Sequence, residues 1–169
     1  MKHIIRLGCI ALAIIVLTVC IKSTMGMTQD QLISEVSEKL GVDEESGAVL
    51  SYAGECTSDQ NALLWFVVHN GSSRSYYAAS CKILSNNRYR LIEIQTPSMY
   101  AKDLAHAIWW GESVFLINNK DCKEILIEST PGSILSKIEI SAYPYIYHVV
   151  PLAEQMRISF LDINGNEIR

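Results

Sequence analysis

Two kinds of hydrophobic pattern follow one another along this chain. Between residues 28 and 40 the apolar side chains recur every three or four positions, which is the period of a helix that buries one face. Thr28 followed by Gln31 is the capping-box pattern that begins such a helix, and Gly41 is a natural end. The sequence therefore predicts one amphipathic helix over residues 28–40.

From residue 48 onward the apolar residues come in short runs or alternate with polar ones, as they do in β-strands. Residues 62–68 are apolar on both faces, which predicts a central strand covered on both sides. Pro144 and Pro151 flank another strand and favour an edge position for it. The segment between these prolines is 145–150. The other segments with a strand pattern are 48–54, 74–84, 88–94, 114–117, 123–128, 135–142 and 157–161, and we expect seven or eight of all these segments to form the sheet.

One segment within this β-like region has a helical spacing. Leu104, Ala107 and Ile108 would share a face, and Gly111 would end the element, so residues 101–110 predict a short helix. The expected fold class is α+β and mainly β: a hydrophobic leader helix, then one amphipathic helix packed on a curved, mostly antiparallel sheet of seven or eight strands.

The start of the chain has the pattern of a membrane-targeting segment. Lys2 and Arg6 precede the uncharged run 7–21, and Lys22 ends it. With the two isoleucines before Arg6, the apolar stretch 4–21 approaches the length of a single membrane-spanning helix. We expect residues 1–26 to be a signal peptide or a membrane anchor, and residues 27–169 to form an extracytoplasmic α+β domain.

Three fates of the leader remain open. Cleavage after Gly26 would secrete the domain, since Thr24 and Gly26 are small residues at the positions that a signal peptidase reads. Retention would anchor the chain in the cell membrane through residues 4–21, with the N-terminus cytoplasmic because the basic residues precede the segment. Lipidation would occur on Cys20, although Val19 stands where a lipobox has a small residue.

Charge and cysteine content narrow the function further. The leader holds three of the fourteen basic residues and none of the eighteen acidic ones, so the domain carries a formal charge of −7. Such a domain is a poor ligand for nucleic acid or for an anionic lipid surface. Cys56, Cys81 and Cys122 lie in the domain, where buried free thiols are the first expectation and one disulfide is the alternative.

Candidate chemistry in the sequence is sparse. Asp103 and His106 would face together on a helix, and with Cys122 they form the one combination that suggests a hydrolase-type enzyme. The segment 162–166 begins like a calcium loop, but Glu167 stands where that loop requires glycine. Phosphate-binding, zinc-binding and serine-hydrolase motifs are missing from the sequence, so we expect no catalytic, metal or cofactor-binding residue and no cofactor.

The aromatic residues form the remaining candidate site. Adjacent residues of a strand point to opposite faces, so each aromatic pair should place one ring inward and one outward. Exposed tyrosine and tryptophan side chains are typical of binding surfaces. The candidates for a partner-binding surface are Tyr76, Trp109, Trp110, Tyr145 and Tyr147; the alternative is that these rings pack in the core or lie along sheet edges.

Two segments, residues 115–125 and 160–168, resemble parts of small uncharacterised exported or membrane-anchored proteins of Gram-positive bacteria. The resemblance implies a cell-envelope protein and brings no activity or site residues with it. Together with the leader and the acidic domain, it leads us to expect a non-catalytic binding or accessory domain of the envelope with a protein or envelope partner. The alternatives are the hydrolase-type enzyme and a purely structural envelope protein.

Overall fold

The computed structural model describes residues 26–43, 45–84, 87–129, 132–149 and 156–168. Residues 1–25 of the leader, including Cys20, lie outside these described residues, so its cleavage, anchoring and lipidation stay predictions. No helix in the described part of the chain is long and apolar enough to cross a membrane.

Helix α1 spans Gln29–Leu40 and confirms the predicted amphipathic helix. The Thr28 hydroxyl accepts a hydrogen bond from the Gln31 N–H, and the Gln31 side chain accepts one from the Thr28 N–H. Gly41 ends the helix with φ +64°, a left-handed conformation that glycine adopts without a steric penalty. Leu32 and Val36 are fully buried on one face, so α1 is held by packing on the strands that follow.

Eleven strands follow in the described chain, and all of their pairings are antiparallel. They are β1 Val49–Ser58, β2 Asn61–Asn70, β3 Ser73–Leu84, β4 Arg88–Gln95, β5 Ser98–Ala101, β6 Leu104–Trp109, β7 Glu112–Ile117, β8 Glu124–Ser129, β9 Ile134–Glu139, β10 Tyr145–Val149 and β11 Met156–Leu161. Sheet 1 has the order β1-β2-β3-β4, sheet 2 the order β10-β7-β6-β5, and sheet 3 the order β11-β8-β9.

Sheet 1 is curved around α1. The Tyr89 hydroxyl on edge strand β4 donates to the Glu55 carboxylate on the opposite edge strand β1, at 3.3 and 3.4 Å from its two oxygens. Neighbouring strands lie about 4.8 Å apart, so in a flat four-stranded sheet these edges would be about 14 Å apart. Register shifts in β1 and β4 bend both edge strands in the way that β-bulges do.

The three sheets and the helix stack in four layers, with sheet 2 covered on both faces. The core between sheets 1 and 2 comprises Leu63, Trp65, Val67, Tyr76, Ala78, Ala105, Ala107, Trp109, Val114 and Leu116. The core between sheets 2 and 3 is built around Leu104, Phe115, Ile117, Ile125, Ile127 and Phe160. The order is therefore α1, sheet 1, sheet 2, sheet 3.

The structure corrects two sequence-based expectations of the fold. The strands form three sheets where one curved sheet of seven or eight strands was expected. The predicted short helix over 101–110 is wrong, because residues 104–109 form β6. Ala107 is buried against sheet 1 while its neighbour Ile108 is exposed, which is the alternation of a strand. Hairpin pairing with β7 decides this segment, and the helical spacing of its apolar residues does not reveal that pairing.

Candidate functional site

The hairpin of β6 and β7 ends in a two-residue loop. Trp109 pairs with Glu112 across the hairpin, and Trp110 and Gly111 form the loop with φ values of +52° and +83°. Positive φ at both central residues is the requirement of the type I′ turn, which matches the twist of the two strands. Asparagine and glycine are the usual residues in such a loop, so tryptophan is an unexpected choice.

Trp110 is the one bulky side chain among the described residues that have a left-handed backbone conformation. The other non-glycine residues with positive φ in the described chain are Asp59, Asn87 and Asp103. Aspartate and asparagine tolerate this conformation, whereas for a bulky residue it costs about 1 kcal/mol or more. The Trp110 side chain is nevertheless 67% exposed, so burial of its ring does not offset this cost.

The base of this hairpin is firmly held. Trp109 is buried in the core between sheets 1 and 2. Beside it, Nε2 of His148 on β10 lies 2.5 Å from a carboxylate oxygen of Glu112, and the His148 ring lies 5.6 Å from the Trp109 ring. The exposed tip, formed by Trp110 and the 57%-exposed Ile108, therefore projects from a packed and hydrogen-bonded base.

The five aromatic candidates are placed differently from one another. Tyr76 and Trp109 are buried, Tyr145 and Tyr147 are half-buried against the core between sheets 2 and 3, and Trp110 is exposed. Trp109 and Trp110 confirm the expected division of one ring inward and one outward. For Tyr76 and its neighbour Tyr77 that expectation is wrong, because α1 and sheet 2 cover opposite faces of sheet 1.

Asp103 takes part in a network that joins sheet 1 to sheet 2. Its carboxylate accepts hydrogen bonds from the Tyr76 hydroxyl at 2.5 Å and from the Arg74 guanidinium at 2.9 Å. The Asn118 side chain donates to the same tyrosine oxygen at 3.3 Å. Burial and the bond to Asp103 raise the pKa of Tyr76 to about 12, so the phenol stays protonated and continues to donate.

His106 and Cys122 have partners of their own. The His106 Nε2 atom lies 3.1 Å from the Ser113 hydroxyl, its ring stacks on Phe115, and burial lowers its pKa. Cys122 is buried between sheets 2 and 3, and burial raises the pKa of its thiol to about 11. The strand geometry thus points Asp103 and His106 to separate partners, in place of the shared helical face expected from the sequence.

The three cysteines of the domain are free thiols in three different places. Cys81 lies in the core under α1, Cys122 in the core between sheets 2 and 3, and Cys56 beside the core between sheets 1 and 2. Burial raises the pKa of Cys56 to about 11 and that of Cys81 to about 12. Within the described ranges no group of three or more metal-capable side chains could hold an ion.

These pKa values predict slow thiol chemistry. At pH 8 a thiol of pKa about 11 has roughly 100-fold less thiolate than one of pKa about 9, and the thiolate is the reactive form. The C9S/C20S variant keeps only the three cysteines of the domain. We expect these thiols to react slowly with a disulfide reagent in the native protein, and all three to react at once in denaturant. A fast native phase assigned to Cys122 would favour the hydrolase-type alternative instead.

The chain was compared with family models, curated proteins and solved structures, and none of them matches it.

Proposed function

We propose that this chain is an extracytoplasmic, non-catalytic binding protein of the cell envelope, tethered or secreted through its leader, which contacts a protein partner through the tip of the β6–β7 hairpin. The observation that carries this proposal is Trp110, a large aromatic side chain that is exposed in a left-handed turn position. Tryptophan is among the residues that contribute most to protein interfaces.

The geometry gives the tip the properties of a recognition element. A strained backbone at an exposed residue lowers the stability of the fold, so it persists when function requires it. Strain of this kind is found at binding surfaces. Trp110 and Ile108 supply apolar area, while Trp109 and the contact between Glu112 and His148 fix the base of the hairpin. A packed and hydrogen-bonded base lowers the entropy that is lost when the tip binds.

Site-specific photo-crosslinking in living cells tests the partner directly. A benzophenone amino acid at position 110 keeps an aromatic ring at the tip, and one at position 163, where Ile163 is 80% exposed in another turn, serves as the control. We expect one protein to be crosslinked from position 110 and not from position 163, and to bind the purified chain. Equal products from both positions, or none from either, would contradict the proposal and favour a purely structural protein.

Replacing Trp110 by asparagine should separate stability from binding. Asparagine before Gly111 is the favoured type I′ pair, so we expect the free energy of unfolding to rise by about 1 kcal/mol. The same variant should lose the crosslinked partner in a competition assay with purified protein. Urea denaturation measures the first effect. Trp110→Phe is the matched control, because it keeps both the backbone strain and most of the binding. If W110N instead lowers the free energy of unfolding, the Trp110 ring stabilises the fold and the proposal is contradicted.

A further inference from the structure

A groove runs along one side of α1 on sheet 1. The last turns of the helix form one wall with Glu35, Lys39 and Leu40, and strand β4 forms the other. Leu91, Ile94 and Tyr77 supply apolar lining. The groove encloses about 630 Å³, within the range of about 300–1,000 Å³ that ligand pockets have.

The strand beside this groove is an edge strand. Among the described residues, only Met27 pairs with the outer edge of β4, in an antiparallel bridge with Tyr89. Both hydrogen bonds of that bridge are made, at 2.7 and 2.8 Å. Alternation along a strand directs the backbone N–H and C=O of Leu91 to the same side as those of Tyr89. Met27 thus shows that the backbone of a neighbouring residue pairs with this edge at Tyr89.

The walls of the groove favour a ligand without strong charge. Glu35 and Lys39 form an ion pair at 3.6 Å along the helix, so that wall is electrically balanced. Arg90 and Glu93 of β4 also line the groove and carry opposite charges, and the apolar lining between the walls includes Tyr77, Leu91 and Ile94. A backbone edge with such lining recognises an extended peptide, in which the main chain supplies hydrogen bonds and alternate apolar side chains supply burial.

We propose that the groove between α1 and β4 binds an extended peptide segment of a partner protein, which adds to sheet 1 as a fifth strand beyond Met27. The alternate side chains of the peptide lie on Leu91 and Ile94, under the wall formed by Leu40. A second copy of this chain fits less well. If β4 of the second copy paired with β4 of the first, helix α1 of the second copy would meet helix α1 of the first copy at the groove. The site is separate from the Trp110 tip, so either proposal can fail without the other.

A peptide of defined sequence tests the proposal on the full chain in mild detergent. The probe is a fluorescent, capped hexapeptide of alternating threonine and valine, followed by fluorescence anisotropy. Two further versions carry N-methyl groups on all valine or on all threonine nitrogens. Only one edge of an added strand pairs with β4, so one methylated peptide should bind at least tenfold more weakly while the other binds as before.

Two variants of α1 provide a matched pair. Leu40 and Ile33 are both half-buried residues of the core under α1, but Leu40 lines the β4 groove while Ile33 lines the opposite side of the helix. Both L40S and I33S should lower thermal stability. Only L40S should weaken peptide binding, by about tenfold, because it alone removes apolar contact area from the groove.

Several results would overturn this proposal. Absence of saturable binding up to about 1 mM would do so, because strand addition with side-chain burial should exceed that affinity. Equal binding of the two methylated peptides, or equal weakening by I33S and L40S, would show that the probe binds elsewhere. A dimer that L40S dissociates, in sedimentation experiments where the peptide does not bind, would identify a second copy as the occupant.

Discussion

Replacing Phe160 by alanine is expected to lower the free energy of unfolding by about 4 kcal/mol, the range for large aromatic residues in a core. Phe160 on β11 is fully buried. Its ring centre lies 5.0 Å from that of Phe115 on sheet 2 and 5.2 Å from that of Tyr100 on β5. The substitution removes a ring that packs sheet 3 on sheet 2 and leaves a cavity between them.

The four-layer arrangement makes this prediction more specific. Native-state hydrogen exchange should show that amides of β8, including Ile125 and Ile127, lose protection in F160A while those of β2 keep theirs. The cores on either side of sheet 1 do not include Phe160, so they persist. Phe160→Leu is the control. It should lower the free energy of unfolding by less than half as much as F160A, because leucine retains most of the side-chain volume. Equal loss of protection in β2 and β8 would mean that the layers unfold as one unit.

Replacing Gly54 by alanine should lower the free energy of unfolding by about 2 kcal/mol. Gly54 has φ +124°, a conformation that is strained for any residue with a side chain, and it lies at the register shift of β1. A Cβ atom there would lie 2.9 Å from Cδ1 of Ile146 on β10. Strain in the backbone contributes about 1–3 kcal/mol, and the contact adds less, because Cδ1 is the far end of a flexible side chain that can rotate away from the new methyl group.

The controls for Gly54→Ala separate strain from contact. Gly71 has φ +58° with no atom near the position of a Cβ, so G71A should cost about 1 kcal/mol from backbone strain alone. The double variant G54A/I146A should lose less stability than the sum of its two single variants, because Ile146→Ala removes the clashing carbon. Urea denaturation gives the free energy of unfolding of the wild type and of the four variants G54A, G71A, I146A and G54A/I146A. Strict additivity in this cycle would show that Ile146 does not limit the approach of β1 to β10.

The two proposed surfaces differ in how visible they are in the sequence. Trp110 belongs to an aromatic pair that stands out in the sequence, but its exposed position comes from the hairpin loop, because β6 ends at Trp109. Its strained backbone has no signal in the sequence either, because a turn type depends on the register of β6 with β7. The groove beside β4 has no sequence signal at all: it exists because α1 lies across sheet 1 and leaves one edge of the sheet uncovered.

Most of the individual elements follow from the sequence. The capping box at Thr28, the stop at Gly41 and the apolar spacing between them determine α1 locally. The run at 62–68 became the doubly buried β2. The alternation in 74–84 puts Ala79, Cys81 and Ile83 on one face, and in the structure that face packs against α1. These succeed because capping, turn chemistry and period depend on neighbours within a few residues.

What the tertiary structure alone decided is how these elements are grouped. An apolar strand such as β7 has the same pattern whether its second face is covered by a helix or by a sheet, so the sequence determined its burial but not the three-sheet stack. Residues 104–109 fit a helical or a strand period, and pairing with β7 selected the strand. In the same way, Tyr76 became a buried donor to Asp103 because sheet 2 covers it, while Trp110 stayed exposed because its turn extends beyond both cores.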